Sequence, residues 1–67
     1  MKIDEVEFRM DGGYNKSYYD LDWDDPLVGL QVGSEVVLDL RLYRVSHIVY
    51  GEYNIRGSLI QYWLEKI

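Results

Sequence analysis

The sequence predicts an all-β domain in which five short strands form a small antiparallel barrel or a strongly bent sheet. Three observations support this fold class. Polar and apolar residues alternate over short stretches, turn-forming residues separate these stretches, and the stretches are rich in β-branched and aromatic residues. With 67 residues, the chain is expected to form one domain, residues 1–67, with a small core.

A turn signal lies between each predicted strand and the next. The strands are predicted at residues 2–10, 14–23, 36–38, 42–50 and 58–64. Pro26 ends the second strand, and Asp24 or Asp25 is expected to cap one short helical turn near residues 25–30, with Pro26 at its first position. A tight turn near residues 39–41 and a longer one over residues 51–57 precede the last two strands.

The first hairpin has two possible registers, which its charges distinguish. A turn centred on Asp11-Gly12 sets Glu7 opposite Lys16, whereas a turn centred on Gly12-Gly13 sets Arg9 opposite Lys16. Like charges across two strands cost from a few tenths to about 1 kcal/mol. We therefore predict the Asp11-Gly12 turn, with Gly12 at positive φ.

The stretch VGSEVVLDLRLYRVSHIV, residues 32–49, resembles the strand, turn and strand of SH3-like barrels. The shared features are the Gly33-Ser34-Glu35 entry, an apolar strand, a short polar turn and the Tyr43-Arg44-Val45 strand. This resemblance covers about a quarter of the chain and implies a fold, an SH3-like barrel, without a function. The chain lacks the ALYDY-type motif of SH3 domains that bind proline-rich peptides.

The negative charge of the chain is confined to its first part. Residues 1–25 hold eight acids and three bases, whereas residues 26–67 hold four of each, so the first 25 residues carry the whole net charge of −5. Direct binding to nucleic acid is disfavoured because it requires a basic surface. An acidic surface favours basic partners instead.

The most acidic stretch is YYDLDWDDPL, residues 19–28. On an extended strand, successive side chains point to opposite faces. The acids Asp20, Asp22 and Asp24 would then face solvent, and Tyr19, Leu21 and Trp23 would face the core. Such a stripe is either an ordinary solvated strand edge or a recognition surface, with Asp25 and Tyr18 as its neighbours.

No motif in the sequence indicates catalysis or metal binding, so we expect neither an enzyme nor a cofactor or metal. The three aspartates match positions 1, 3 and 5 of an EF-hand loop, but Asp25 occupies the position that needs glycine. His47 is the one histidine, and none of the serines lies in a recognisable nucleophile motif. The N-terminal MKIDEVEFRM has no apolar run typical of a signal peptide, and no window is a membrane span, so a cytoplasmic protein is expected.

Ten aromatic residues exceed what one small core can hold, which predicts an interface and, with it, a homo-oligomer. Trp63, near the end of an alternating strand, is the first candidate for that interface. Arginine grips phosphate in a bidentate manner and stacks on aromatic rings. A ligand site could accordingly be formed by Arg41, Arg44, Arg56, Tyr43 and Tyr53.

These observations support three hypotheses. In the first, a non-enzymatic inhibitor or adaptor uses its acidic N-terminal hairpin to bind a basic protein, for example an enzyme that processes nucleic acid. Small acidic chains of this kind resemble phage-encoded inhibitors and nucleic-acid mimics in size and charge. In the second, an oligomer sequesters a small phosphate-bearing ligand such as a nucleotide. In the third, the chain is a structural or accessory subunit whose aromatic residues serve assembly.

Overall fold

The computed structural model describes residues 2–10, 12–51 and 58–67, and the strands in these residues form one mixed sheet. The strands are β1 (Lys2–Arg9), β2 (Asn15–Asp22), β3 (Glu35–Leu38), β4 (Arg41–Gly51) and β5 (Leu59–Lys66). Their order is β2-β1-β5-β4-β3, which makes β2 and β3 the two edge strands. The sheet curls into a half-barrel, so the predicted all-β class is confirmed. Each predicted strand lies within two residues of an observed one.

The prediction of a purely antiparallel sheet is wrong, because β1 and β5 run parallel. The hairpin of β1 and β2 and the meander of β3, β4 and β5 are each antiparallel, as expected of strands that follow one another closely in the sequence. No turn connects β1 to β5, so local sequence does not fix their relative direction. At the start of this pair, the Asp4 carboxylate accepts a hydrogen bond of 2.8 Å from the Ser58 amide, and the Glu5 amide donates to the Ser58 carbonyl.

The register of the first hairpin differs from both predicted alternatives. Glu7 lies opposite Ser17, Arg9 lies opposite Asn15, and the Met10 amide donates to the Tyr14 carbonyl, so three residues form the loop instead of two. Because side chains alternate with a period of two, this shift of one residue moves each β2 side chain to the other face. Tyr18 therefore lies opposite the buried Val6, on the face predicted for Tyr19.

A second irregularity restores Leu21 to the core side. Asp20 has a φ of 58°, the left-handed conformation that breaks strand alternation. After it, Leu21 pairs with the buried Ile3 and packs against the core. The two core positions of this strand, Tyr18 and Leu21, are thus three residues apart.

The core fills the concave side of the sheet. Its buried side chains are Ile3, Val6, Phe8, Val28, Val36, Leu38, Tyr43, Val45, Ile60, Tyr62 and Leu64. Phe8 stacks on Tyr62 with ring centroids 5.3 Å apart, and Tyr18 meets the edge of Phe8. Val28 belongs to the segment that connects β2 to β3, so this connection crosses the core, and the Tyr62 hydroxyl donates to the Val28 carbonyl at 2.8 Å.

The predicted helical turn near residues 25–30 is a pair of tight turns, and the described residues contain no helix. The Asp25 amide donates to the Asp22 carbonyl, and the Val28 amide donates to the Asp25 carbonyl. The capping interaction expected of Asp25 is present, since its carboxylate accepts from the Leu27 amide at 2.9 Å. Val28 is buried after these turns, and the chain continues toward β3 instead of forming a helix.

Candidate binding surfaces

Residues 19–25, called the acidic segment below, lie at the end of edge strand β2 and in the turn after it. Asp20, Asp22 and Asp24 are exposed, as the sequence predicts. Asp25 is half-buried, and one of its carboxylate oxygens holds the Leu27 amide. Three of the four predicted carboxylates are therefore exposed, while Asp25 stabilises the turn.

Both large aromatic residues of the acidic segment are exposed, contrary to the prediction that they face the core. Tyr19 is 62% exposed and Trp23 is 55% exposed. The one-residue register shift gives the core position to Tyr18, and the strand ends at Asp22, before Trp23. Tyr18, predicted to contact a partner, is half-buried with its ring against Phe8.

The three exposed aspartates do not form the straight stripe that an ideal strand would give. Asp20 has left-handed backbone geometry, Asp22 is the last residue of β2, and Asp24 lies in the following turn. The three carboxylates therefore belong to an irregular stretch of backbone rather than to a row with even spacing.

A second surface lies at the opposite end of the strands, where β4 begins and β5 ends. A shallow cavity of about 250 Å³ is lined by Arg41, Leu42, Tyr43, Lys66 and Ile67. Arg41 and Tyr43 belong to the predicted ligand site, whereas the contribution of Lys66 was missed. It depends on the register that pairs Tyr43 with Lys66, which the predicted turn over residues 51–57 does not fix.

The other predicted ligand residues do not join this cavity. Arg44 lies between two carboxylates, with its guanidinium 3.9 Å from Glu35 and 3.8 Å from Glu65. The charge of Arg44 is therefore already balanced by carboxylates on the same surface of the sheet. Tyr53 and Arg56 lie outside the described residues.

Trp63, the predicted interface residue, stands on the convex face of the sheet between two side chains from neighbouring strands. The Arg9 guanidinium carbon is 5.1 Å from the centre of its ring, and His47 stacks nearly parallel to it at 5.5 Å. Its indole N–H donates to Gln61 at 2.7 Å. These contacts order Trp63 within its own chain, and its assignment to an interface stays a prediction.

The convex face also contains a chain of hydrogen bonds between side chains. Gln61 donates to one oxygen of Glu7 at 2.7 Å, and Asn15 donates to the other at 2.8 Å. Near His47, the Ser46 hydroxyl donates to the Trp63 carbonyl at 2.9 Å, so its proton points away from the imidazole 3.5 Å from it. This geometry does not activate Ser46 as a nucleophile.

Side chains join the two edges of the half-barrel at the Asp39 turn. Asp39 accepts hydrogen bonds from Lys16 at 2.9 Å and from Tyr14 at 3.0 Å, and the Tyr14 ring stacks on Tyr43. The hydrogen bonds from Lys16 and then Tyr14 lower the pKa of Asp39, and the bond to Asp39 raises the pKa of Lys16. Burial first, and then the bond to Asp39, raise the pKa of Tyr14.

Comparison of the chain with protein-family models, curated proteins and solved structures found no match. Among residues 2–10, 12–51 and 58–67, no three or more His, Asp or Glu side chains are placed to hold a metal ion. The same residues include no helix with the length and apolar character to span a membrane. Function is therefore inferred from the chemistry of the surfaces described above.

Proposed function

We propose that the chain is a non-enzymatic binding module whose acidic segment docks on a basic surface of another protein. The observation that carries this proposal is the exposure of Trp23 and Tyr19 among three exposed carboxylates, at the end of an edge strand and in the turn after it. Tryptophan and tyrosine supply much of the binding energy at protein interfaces. A half-exposed tryptophan leaves a large apolar surface in water, which burial against a partner would remove.

The carboxylates and aromatic rings have complementary roles in this proposal. Clustered negative charge increases the rate of encounter with a basic surface and orients the chain as it approaches. The rings then provide contact area that simple charge attraction lacks. The preferred partner is a protein whose basic surface ordinarily holds a nucleic-acid backbone, because such a surface already presents arginine and lysine to closely spaced anions.

The same proposal includes finer features that the size and charge of the chain favour. The half-barrel would be an SH3-like barrel, supported by the hairpin of β3 and β4 at the predicted place. The chain would act in the cytoplasm as a phage-type inhibitor or adaptor. It would also form a homo-oligomer.

The alternative, a site for a phosphate-bearing ligand, receives support from only part of its predicted residues. Arg41 and Tyr43 line one cavity, but Arg44 is paired with carboxylates. Leu42 and Ile67 make much of the cavity wall apolar, which a phosphate group would not use. This wall is better matched to a ligand that carries both an anion and an apolar side chain.

The experiment is a pull-down from a lysate of the native host at low and high salt, with the tagged full-length chain as bait. We expect the parent to recover a basic protein at low salt and to lose it at high salt. The variant Asp20→Asn, Asp22→Asn, Asp24→Asn should fail to recover it, as should Trp23→Ala.

The matched control is Glu7→Gln, Glu35→Gln, Glu65→Gln, which removes the same number of charges outside the acidic segment. It should recover the protein as the parent does. If the triple Asn variant recovers the same protein with unchanged salt dependence, the acidic segment is ordinary solvated edge and the proposed function is wrong.

A further inference from the structure

A patch of exposed apolar and basic side chains lies around the cavity at the end of β5. We call Arg41, Leu42, Lys66 and Ile67 the basic patch. Ile67 is 57% exposed and Leu42 is 44% exposed. The exposed Val37 lies beside them, because it pairs with Leu42 on the outward face of β3 and β4. Apolar side chains that are contiguous and exposed indicate an interaction surface.

The two cations of the basic patch are available for contact. Arg41 and Lys66 are exposed, and neither forms an ion pair with another described residue. The acids nearest to them in the sequence already have partners, since Asp39 holds Lys16 and Glu65 faces Arg44. A ligand that brings carboxylates to this patch would not displace an internal ion pair there.

The chain itself carries a segment with the complementary chemistry. The acidic segment combines three exposed carboxylates with the exposed rings of Tyr19 and Trp23. We propose that the basic patch of one copy holds the acidic segment of a second copy. The carboxylates would face Arg41 and Lys66, and the Trp23 ring would cover the apolar wall of the cavity.

The strand registers exclude this contact within one chain. On β1, Lys2 lies opposite Asp22, whereas Arg9 lies opposite Trp63 of β5. Seven residues of strand separate these positions, a distance of roughly 20 Å or more, and Lys66 lies further in the same direction. The acidic segment and the basic patch therefore occupy opposite ends of the molecule, and only a second copy can bring them together.

When the basic patch of one copy binds the acidic segment of another, the pair still has one unoccupied patch and one unoccupied segment. Such an arrangement grows into a ring or an open chain, unlike a two-fold dimer. It shares the acidic segment with the proposed function, so self-association would compete with a protein partner for that segment. It does not require such a partner, because the two surfaces are complementary without one.

Two variants and their mixture test this arrangement in sedimentation velocity experiments on the full-length chain. One variant, Arg41→Glu with Lys66→Glu, blocks the patch, and the other, the triple Asn variant, blocks the segment. We expect the parent to form species larger than a dimer as its concentration rises, and to dissociate at high salt. Each variant alone should be monomeric. Their equimolar mixture should form a dimer and nothing larger, because it contains one intact patch and one intact segment per pair.

Single neutralisations provide the matched control. Arg41→Gln should raise the apparent dissociation constant roughly tenfold or more, whereas Arg44→Gln, whose guanidinium already faces carboxylates, should change it little. A mixture that stays monomeric, or a patch variant that still associates, overturns the proposal.

The same patch variant separates this proposal from the proposed function. Arg41→Glu with Lys66→Glu leaves the acidic segment intact, so it should still recover the basic partner in the pull-down. If the parent is monomeric while the triple Asn variant loses the partner, the self-association is wrong and the proposed function stands.

Discussion

Leu40 occupies a position that suits leucine poorly in two respects. Its φ is 66°, and its side chain is 98% exposed at the tip of the turn between β3 and β4. A side chain other than glycine in the left-handed region costs roughly 1–2 kcal/mol. No burial of the side chain offsets this cost, so the conformation of Leu40 lowers the stability of the folded chain.

We predict that Leu40→Gly raises the free energy of unfolding by about 0.5–1 kcal/mol, because glycine adopts positive φ without the steric penalty. Leu40→Ala is the control, since it removes the exposed side chain but keeps the backbone cost. Urea denaturation measures the difference. A Gly variant no more stable than the Ala variant would show that the turn is unstrained or differently shaped.

Gly12 offers the opposite test, since its backbone suits glycine alone. Its φ is 96°, and no atom of another residue would contact an added Cβ. Gly12→Ala should therefore lower the free energy of unfolding by roughly 1 kcal/mol or more through backbone conformation alone. Gly29 also has open space around it but no positive φ, so Gly29→Ala should have a much smaller effect. Equal denaturation midpoints for the two variants would refute the assigned loop geometry.

Individual residues also differ in how far the sequence predicts their conformation. The positive φ of Gly12 follows from the composition of the turn and is confirmed. The exposure of Tyr19 was not predicted, because a loop of three residues and a loop of two are equally compatible with Asp11-Gly12-Gly13. The left-handed geometry of Asp20 was not predicted, because aspartate at this position alternates with apolar residues just as Asp22 and Asp24 do, and nothing in the sequence distinguishes it from them.

At the scale of elements, the contact of Asp39 with Lys16 and Tyr14 holds the two sheet edges together. The lowered pKa of Asp39 means that its contribution to stability is present above its ordinary pKa of 3.8 and is lost as pH falls through the folded-state value. The raised pKa of Lys16 means that its contribution is present below 10.5 and is lost as pH rises through the folded-state value.

We predict that Asp39→Asn lowers the denaturation midpoint near neutral pH and that the difference from the parent disappears in acid. Asparagine tolerates positive φ, so the variant removes the charge without adding backbone strain. Glu35→Gln is the control, because it removes an exposed and longer ion pair with Arg44 and should have little effect. A difference that persists unchanged to the lowest pH would contradict this role of Asp39.

Tyr62 fixes the connection between β2 and β3 to the sheet. Its side chain is fully buried, its hydroxyl donates to the Val28 carbonyl, and burial raises its pKa above 10.0. Tyr62→Phe should lower the free energy of unfolding by about 1–2 kcal/mol, because the Val28 carbonyl loses its hydrogen bond.

Alkaline titration adds a second readout for Tyr62. A raised folded-state pKa gives the parent stability that is present below pH 10.0 and is lost as pH rises through the folded-state value. This loss should be reduced in Tyr62→Phe and retained in Tyr19→Phe, since Tyr19 is exposed. An unchanged alkaline profile for Tyr62→Phe would indicate that another group controls it.

The strands illustrate which elements a single sequence can predict. Alternation and turn residues locate all five, because each signal is local. The parallel pairing of β1 with β5 joins residues more than 50 positions apart, and no local signal indicates its direction. The bulge between Val45 and His47 was also missed, because Ser46 fits a regular strand as well as an irregular one.

For the whole molecule, the essential feature is the separation of two unlike surfaces by the length of the sheet. The charge imbalance between residues 1–25 and 26–67 is enough by itself to predict an acidic surface. The basic patch could not be predicted, because Arg41-Leu42 and Lys66-Ile67 are two separate pairs of residues, and neither pair forms a recognisable motif. They become a surface only when the register brings the start of β4 to the end of β5.

The central claim is that the acidic segment is the binding surface for a basic protein, and the salt dependence of affinity tests it most directly. The measurement is isothermal titration of the recovered partner with the parent, the triple Asn variant and the Glu7→Gln, Glu35→Gln, Glu65→Gln control over a series of salt concentrations. We predict a steep loss of affinity with salt for the parent and the control, and weak binding with a shallow slope for the triple Asn variant. Equal affinities and equal slopes for all three proteins would contradict the claim.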